Sequence, residues 1–337
     1  MRICVVGAGA IGGLLAVKLS LAGDEVTVID RGAHLAAIRS AGLKLVMSDG
    51  TEHLAREIKA TDDFAAAGPH DLVILALKAH VITSVAPSMR ALFHDRTMVL
   101  TAQNGLSWWY FQRHGGAYEG RSLATLDPDG TIAKHIEATR IIGCVVYPAA
   151  EISAPGVIHH VEGERFALGE LDGAKTERLQ SVVDALSRAG FKAAITENIR
   201  AEVWLKLWGN MSFNPISALT HATLVDICQF APSRELAAAM MREAQEIAGK
   251  LGIQFRVPLE KRIAGAEKVG KHKTSTLQDI EGGREVETDA LLGVVIELAH
   301  LTSTPAPACE SVLALLRLLA KTLKDAHGAA RIVPLAA

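Results

Sequence analysis

Aromatic residues make up only 4% of this 337-residue chain, and cysteine occurs only four times. Cys4, Cys144, Cys228 and Cys309 lie far apart and form no C-x-x-C pair, so spacing signals neither a zinc knuckle nor a redox dithiol. Reduced, buried thiols in a cytosolic protein are the expectation. Excess charge of one sign is also missing. Lys and Arg number 35 against 37 Asp and Glu, a formal net of −2. That balance gives no electrostatic footing for nucleic acid or for an anionic membrane surface. No stretch reaches the roughly 18 uninterrupted apolar residues of a membrane span. The histidines include no H-E-x-x-H and no Cys/His cluster, so no metal is expected, and His159-His160 reads as an exposed strand edge.

One apolar run invites misreading. Arg2 followed by residues 3–17 has the look of a secretory signal. Gly7, Gly9, Gly12 and Gly13 interrupt that run, and Asp24-Glu25 and a further apolar stretch follow it. The expectation is therefore a soluble, cytoplasmic protein with no membrane partner and no nucleic-acid partner. The oligomeric state is left open, a homodimer included.

What the chain has is core material, with 49% apolar and 21% charged residues. Short β-branched runs at 3–6, 26–29, 72–76, 98–101 and 141–147 alternate with helical patterns such as 12–22, closed by Gly23. This alternation predicts an α/β fold with a doubly wound, Rossmann-type sheet. Residues 157–169, broken at Glu162-Gly163-Glu164, read as a hairpin added to that sheet. Beyond Thr196 the periodicity turns helical, at 201–211, 233–251, 286–301 and 310–325. Gly252 and Gly328 sit where helix C-caps belong. The expected division is a dinucleotide-binding domain over 1–197 and a C-terminal all-helical domain over 198–337.

Gly7-Ala8-Gly9-Ala10-Ile11-Gly12 is a G-x-G-x-x-G motif placed between a strand and a helix. The first glycine permits the tight turn, the second lets backbone approach a pyrophosphate, and the third lets helix lie close on strand. Gly7, Gly9, Ala10, Ile11 and Gly12 are thus candidate dinucleotide contacts. Asp30 ends the second strand, where a ribose contact is expected. Asp30 favours the hydroxyls of NAD, whereas Arg31 favours the 2′-phosphate of NADP.

A second signal lies near position 206. Lys206, Asn210 and Asn214 recur at i, i+4 and i+8 within a segment holding Trp204, Trp208 and Phe213. On a helix they form one polar line on a mostly buried surface. A buried ammonium without a partner costs several kcal/mol, so the line implies a polar ligand or an exposed face. Pro215 is expected to distort or end the helix after Asn214.

These pieces, with Leu77-Lys78-Ala79, Gln103-Asn104-Gly105, the segment from Asn198 to Leu207, Asn214-Pro215, Ser275-Thr276-Leu277-Gln278-Asp279-Ile280, Glu287 and Asp289, resemble the ketopantoate reductase (2-dehydropantoate 2-reductase) family over nearly the whole chain. The resemblance implies a Rossmann domain joined to a helical domain. It also implies NADPH-dependent reduction of a 2-oxo acid, 2-dehydropantoate, to the 2-hydroxy acid pantoate in pantothenate biosynthesis. By resemblance Lys206 is the catalytic lysine, and Glu287 binds the hydroxyl end of the substrate. Asn104, Asn210, Asn214 and Ser275 contact substrate, while Arg31, Lys78, Gln103 and Asn104 lie on the cofactor side. The family arginine tips the cofactor towards NADP(H), while Asp30 keeps NAD(H) open.

The sequence departs from the family in two places. Leu224 stands where some members have a further substrate-binding asparagine. The segment after Gly105 is longer than in compact members and holds Trp108, Trp109, Tyr110 and Phe111, which either pack an insertion or wall the substrate cleft. A same-fold dehydrogenase for a bulkier 2-oxo or 3-hydroxy acid, and a non-catalytic redox sensor, are the competing readings.

Overall fold

The computed structural model describes residues 1–333. Positions 334–337, the end of the expected helical domain, lie outside the described residues. The chain divides into two compact units. The first comprises Met1–Ser122 and Asp127–Glu202; the second comprises Leu123–Leu126 and the chain from Val203 onward.

The first unit holds twelve strands: β1 (Arg2–Val6), β2 (Glu25–Ile29), β3 (Leu43–Val46), β4 (Glu52–Ala55), β5 (Lys59–Thr61), β6 (His70–Leu75), β7 (Phe93–Thr101), β8 (Ile141–Val146), β9 (Ala149–Ala154), β10 (Val157–Glu162), β11 (Arg165–Glu170) and β12 (Lys192–Ile195). Its helices are α1 (Ala10–Leu21), α2 (Gly32–Ala41), α3 (Phe64–Ala67), α4 (Ala79–Val85), α5 (Thr131–His135) and α6 (Glu177–Arg188). Eight strands form one sheet in the order β12-β11-β8-β7-β6-β1-β2-β5. Every pairing from β5 to β8 is parallel, and β11 runs antiparallel to β8. The chain starts mid-sheet at β1, winds out to β2 and β5, then returns to β6 on the other side of β1. That reversal makes the doubly wound topology and opens a crevice at the carboxyl ends of β1 and β6.

A second sheet, ordered β4-β3-β10-β9, was not foreseen. It corrects the hairpin expected over 157–169. β10 and β11 do flank Gly163, but β10 pairs with β9 and β3, whereas β11 pairs with β8 and β12. Burial explains the split. β11 is buried on both faces after its first residue, as an interior strand must be, while only Ile158 and His160 of β10 are buried. The real hairpin joins β9 to β10 through Pro155 and Gly156, where Gly156 takes φ 75°.

α1 lies between the two sheets. A side chain on Gly12 would press on Ala76 beside β6, and one on Gly13 would meet Ile158 of β10. A helix covered on both sides must be apolar all round, and Leu14, Leu15, Val17 and Leu19 are all buried. Each such side chain contributes about 1.5–3 kcal/mol on burial. The same physics produced the signal-like run at the N-terminus.

The aromatic segment is core. Trp108, Trp109, Tyr110 and Phe111 are all buried. Trp109 Nε1 donates to Thr101 Oγ1 at the end of β7 (3.1 Å), and its ring lies where a Cβ on Gly143 of β8 would stand. Buried Arg200 ties the segment down through the carbonyls of Tyr110 (2.6 Å), Gln112 (2.7 Å) and Leu171 (2.5 Å).

α7 (Ile199–Thr220) starts in the first unit and continues into the second. There follow α8 (Leu224–Gln229), α9 (Ala231–Lys250), α10 (Leu259–Lys268), α11 (Ser275–Glu281), α12 (Val294–Leu301) and α13 (Pro307–Asp325). No strand occurs among the described residues of this unit. Three local expectations need correction. Pro215 does not end α7, because buried Met211, Phe213, Ile216 and Ala218 hold the helix through it against a penalty of about 3 kcal/mol. The helix expected over 286–301 opens with a π-helical turn, Asp289–Gly293, before α12. Gly252 takes the left-handed φ of 80° after α9, but after α13 that conformation falls on His327 (φ 45°) rather than Gly328.

Candidate functional site

The four adjacent parallel strands β7, β6, β1 and β2 end at Thr101, Leu75, Val6 and Ile29. The candidate cofactor residues follow directly from those ends. Gly7 takes φ 93°, and its N–H donates to Ile29 O (2.9 Å). A Cβ on Gly12 would collide with the carbonyl of Gly7, so helix and strand can approach only without it. A Cβ on Gly9 would meet nothing within 4 Å, leaving that position open to a ligand. Ala10 and Ile11 open α1, where first-turn N–H groups have no intrahelical acceptor. The helix dipole adds positive potential there.

Asp30 is turned towards this loop. Its Oδ2 accepts from Ala8 N–H (2.8 Å) and its Oδ1 from Arg31 N–H (2.7 Å). Arg31 is exposed and stands at the N-cap position of α2, where its side chain makes no capping bond. Past β6, Lys78 occupies the N-cap position of α4, where its side chain makes no capping bond. Past β7, Gln103 is buried, its Oε1 accepting from Ser107 Oγ (3.4 Å), while its Nε2 has no hydrogen-bond partner. Asn104 beside it is half-buried, and Gly105 takes φ 81°. An open glycine face, free helix-start N–H groups and an orphaned buried amide form a donor set that fits an anionic dinucleotide.

His34 is a residue that the motif reading missed. Its Nε2–H donates to Ala8 O (2.8 Å), and its Nδ1 accepts from Gly156 N–H (3.0 Å). Asp30 and His34 therefore hold both polar groups of Ala8. No sequence spacing signals this, because Gly156 lies 122 residues away.

In the second unit, α7 is anchored by its tryptophans. Trp208 stacks on Phe255 at 4.2 Å and donates from Nε1 to Met241 O (2.7 Å), and Trp204 meets Phe255 edge-on. These anchors fix the rotation of the helix and so the direction of its polar line. Lys206 and Asn210 are half-buried and Asn214 is buried, so the line is not a solvated face. Asn214 Nδ2 donates to Ser275 Oγ (3.4 Å), joining two predicted substrate contacts. Ser275 opens α11, whose N-cap Thr274 accepts from Leu277 N–H (3.3 Å). Glu287 follows a turn clamped by Arg284, which donates to Asp279 Oδ1 (2.8 Å) and Gln278 O (3.0 Å). Leu224, at the start of α8, presents no side-chain hydrogen-bonding group.

Two family descriptions match the chain: "Ketopantoate reductase PanE/ApbA" over residues 3–110 and "Ketopantoate reductase PanE/ApbA C terminal" over residues 198–320. The chain belongs to the ketopantoate reductase family. A 2-dehydropantoate 2-reductase of Mesorhizobium japonicum is 49% identical over 321 residues, covering 95% of this chain and 98% of the relative. Another from Pyrococcus horikoshii is 31% identical, covering 91% and 93%. A crystal structure from Ralstonia solanacearum MolK2, a candidate ketopantoate reductase, superposes with a TM-score of 0.91 at 40% identity, covering 95% of this chain and 98% of that one. The C-terminal family segment begins one residue before α7, the helix that carries the polar line. Both halves of the ketopantoate reductase pattern are thus present, each on the unit that holds its candidate residues.

Proposed function

We propose that this protein is a cytoplasmic 2-dehydropantoate 2-reductase that forms pantoate with NADPH. The observation that carries the reading is the polar line of α7, fixed by buried tryptophans and joined to Ser275, in a chain so similar to named reductases. The first unit holds the dinucleotide through Gly7, Gly9, Ala10, Ile11 and Gly12, with Lys78, Gln103 and Asn104 on the same side. When bound, the reduced dinucleotide supplies a hydride to the C2 carbonyl carbon of the substrate. Lys206 stabilises the charge that develops on the ketone oxygen and delivers a proton there. Asn210, Asn214 and Ser275 orient the 2-oxo acid, and Glu287 takes its hydroxyl end.

Asp30 and Arg31 support NADPH over NADH. Two backbone N–H groups already engage the Asp30 carboxylate, which braces the loop and weakens its repulsion of a phosphate. Arg31 at the start of α2 offers both a guanidinium and a helix N-terminus to the 2′-phosphate.

NADPH oxidation with ketopantoate and several larger 2-oxo acids, repeated with NADH, tests the reading. Ketopantoate is expected to be the preferred substrate, and a larger acid turned over faster would overturn the assignment. Lys206→Ala is expected to lower kcat by about 10²–10⁴-fold while NADPH still quenches protein fluorescence. Near-normal turnover in that variant would remove Lys206 from the chemistry.

A further inference from the structure

Ala8 lies between Gly7 and Gly9 of the glycine turn, and each of its two peptide units is held by a different side chain. Asp30 Oδ2 accepts from Ala8 N–H (2.8 Å), which fixes the unit joining Gly7 to Ala8. His34 Nε2 bonds to Ala8 O (2.8 Å), which fixes the unit joining Ala8 to Gly9. That unit is planar and trans, so its C=O and N–H point in opposite directions. Holding Ala8 O therefore sets the direction of Gly9 N–H. Gly7 N–H and Ala8 N–H are already engaged, by Ile29 O and Asp30 Oδ2. Gly9 N–H is the first amide of the turn that these bonds leave over. It stands at the N-cap position of α1, at a residue where an added Cβ would meet nothing within 4 Å. An amide so placed is a donor for a pyrophosphate oxygen.

The imidazole of His34 is itself fixed from its far side. Gly156 N–H, in the turn between β9 and β10, donates to Nδ1 (3.0 Å). A backbone N–H can only donate, so Nδ1 accepts and the ring proton sits on Nε2, where it is given to Ala8 O. Both ring nitrogens are thus taken by backbone groups, and His34 does not act as a phosphate ligand. The sequence of α2 places the ring. Leu35 and Ile38 are its buried residues, and His34 lies one turn before Ile38. Ala37 lies against the hairpin, since a Cβ on Gly156 would come within 3.0 Å of Ala37 Cβ. The second sheet therefore braces the glycine turn through a single histidine.

We infer that His34 is a positioning residue for the dinucleotide: held by Gly156, it aims Gly9 N–H at the pyrophosphate and so sets the affinity for NADPH and NADH alike. The inference rests on the proposed dinucleotide-dependent reductase activity. Its test is fluorescence titration with NADPH and with NADH, alongside steady-state kinetics, for the parent enzyme, His34→Ala, His34→Gln and His34→Asn. Glutamine places its Nε2 near that of the imidazole and keeps the donor to Ala8 O. Asparagine places its Oδ1 near Nδ1 and keeps only the acceptor for Gly156 N–H. His34→Ala is expected to raise Kd about 10-fold, by the same factor for both cofactors because the pyrophosphate is common to them. Its kcat at saturating NADPH should be unchanged. His34→Gln should recover most of the affinity, and His34→Asn should not.

Unaltered Kd in folded His34→Ala overturns the inference. So does a fall in kcat with Kd preserved, or a loss confined to NADPH, which would move His34 to the 2′-phosphate. Should His34→Ala fail to fold, rescue by His34→Asn equal to that by His34→Gln overturns it instead. A parent protein that binds NADPH but reduces no 2-oxo acid overturns the substrate assignment, and the binding comparison still decides His34. A parent that binds neither dinucleotide overturns both.

Discussion

Asp30 shows how far one residue can be read from its position. At the end of β2 it is placed to accept from a ribose, and its charge should oppose a 2′-phosphate. The structure gives both of its oxygens backbone donors, Ala8 N–H and Arg31 N–H, which makes it a brace for the glycine turn. Spacing locates a side chain but does not orient it, and His34 was illegible for the same reason. The two neighbours therefore separate in their predicted effects. Arg31→Ala is expected to raise KM for NADPH roughly 10-fold and leave KM for NADH nearly unchanged, because a lost phosphate contact matters only to the phosphorylated cofactor. Asp30→Ala is expected to weaken both cofactors alike, since it slackens the loop that both must use. Measuring KM for both cofactors in both variants checks this; equal loss of NADPH and NADH affinity in Arg31→Ala would take the arginine off the 2′-phosphate. The glycines, by contrast, were legible because steric exclusion at Gly12 and open space at Gly9 follow from the absence of a side chain.

At the scale of elements, the strands read best where burial is complete, since an interior parallel strand leaves an unbroken apolar run. β1, β2, β6, β7 and β8 were all visible in that way. The short strands β4 and β5 were not, because half-exposed edge segments such as Glu52–Ala55 carry little apolar signal. The small segment Leu123–Leu126 was equally silent. It belongs to the second unit although the chain on both sides of it belongs to the first. Glu297 of α12 explains its allegiance. Its two carboxylate oxygens accept from Ala124 N–H and Thr125 N–H, both at 2.8 Å, and Leu123 is buried. A carboxylate gripping two successive amides through both oxygens is a charge-assisted clamp. Glu297→Ala should release it, at a cost of about 1–3 kcal/mol for the two charge-assisted bonds lost. Hydrogen exchange followed by mass spectrometry should then show faster exchange in peptides covering 123–126 and little change along β1. Unchanged protection of that segment would mean that the carboxylate does not hold it.

For the whole molecule, the fold class was legible because alternation of strands and helices up to Thr196, and helices alone beyond it, reflect what each layer must bury. Its response to acid was not, because that depends on how buried rings are held, and His70 shows it best. His70 of β6 is buried, with its Nδ1–H donating to Gly68 O (2.8 Å) and its Nε2 accepting from Thr27 Oγ1 (3.1 Å), so that it bridges β6 to β2 across β1. Burial is the leading cause that pushes its pKa below the ordinary 6.5. The folded protein therefore holds the ring neutral, whereas the unfolded chain accepts a proton more readily. The stability this group supplies is complete above pH 6.5 and is lost as pH falls through the lower folded value. Asp71 next to it is held below its ordinary 3.8, with burial opposing hydrogen bonds from Arg2 N–H and His94, so its contribution fails only in much stronger acid. The window between neutrality and about pH 5 thus belongs to histidine. Melting temperature is expected to fall across that window in the parent protein. The fall should be shallower in His70→Gln, which keeps a polar side chain but cannot titrate. Saturating NADPH should raise the melting temperature at every pH, by an amount set by its excess over Kd. Calorimetric melts of both proteins at half-unit pH steps decide the matter, and parallel curves would place the acid sensitivity elsewhere in the chain.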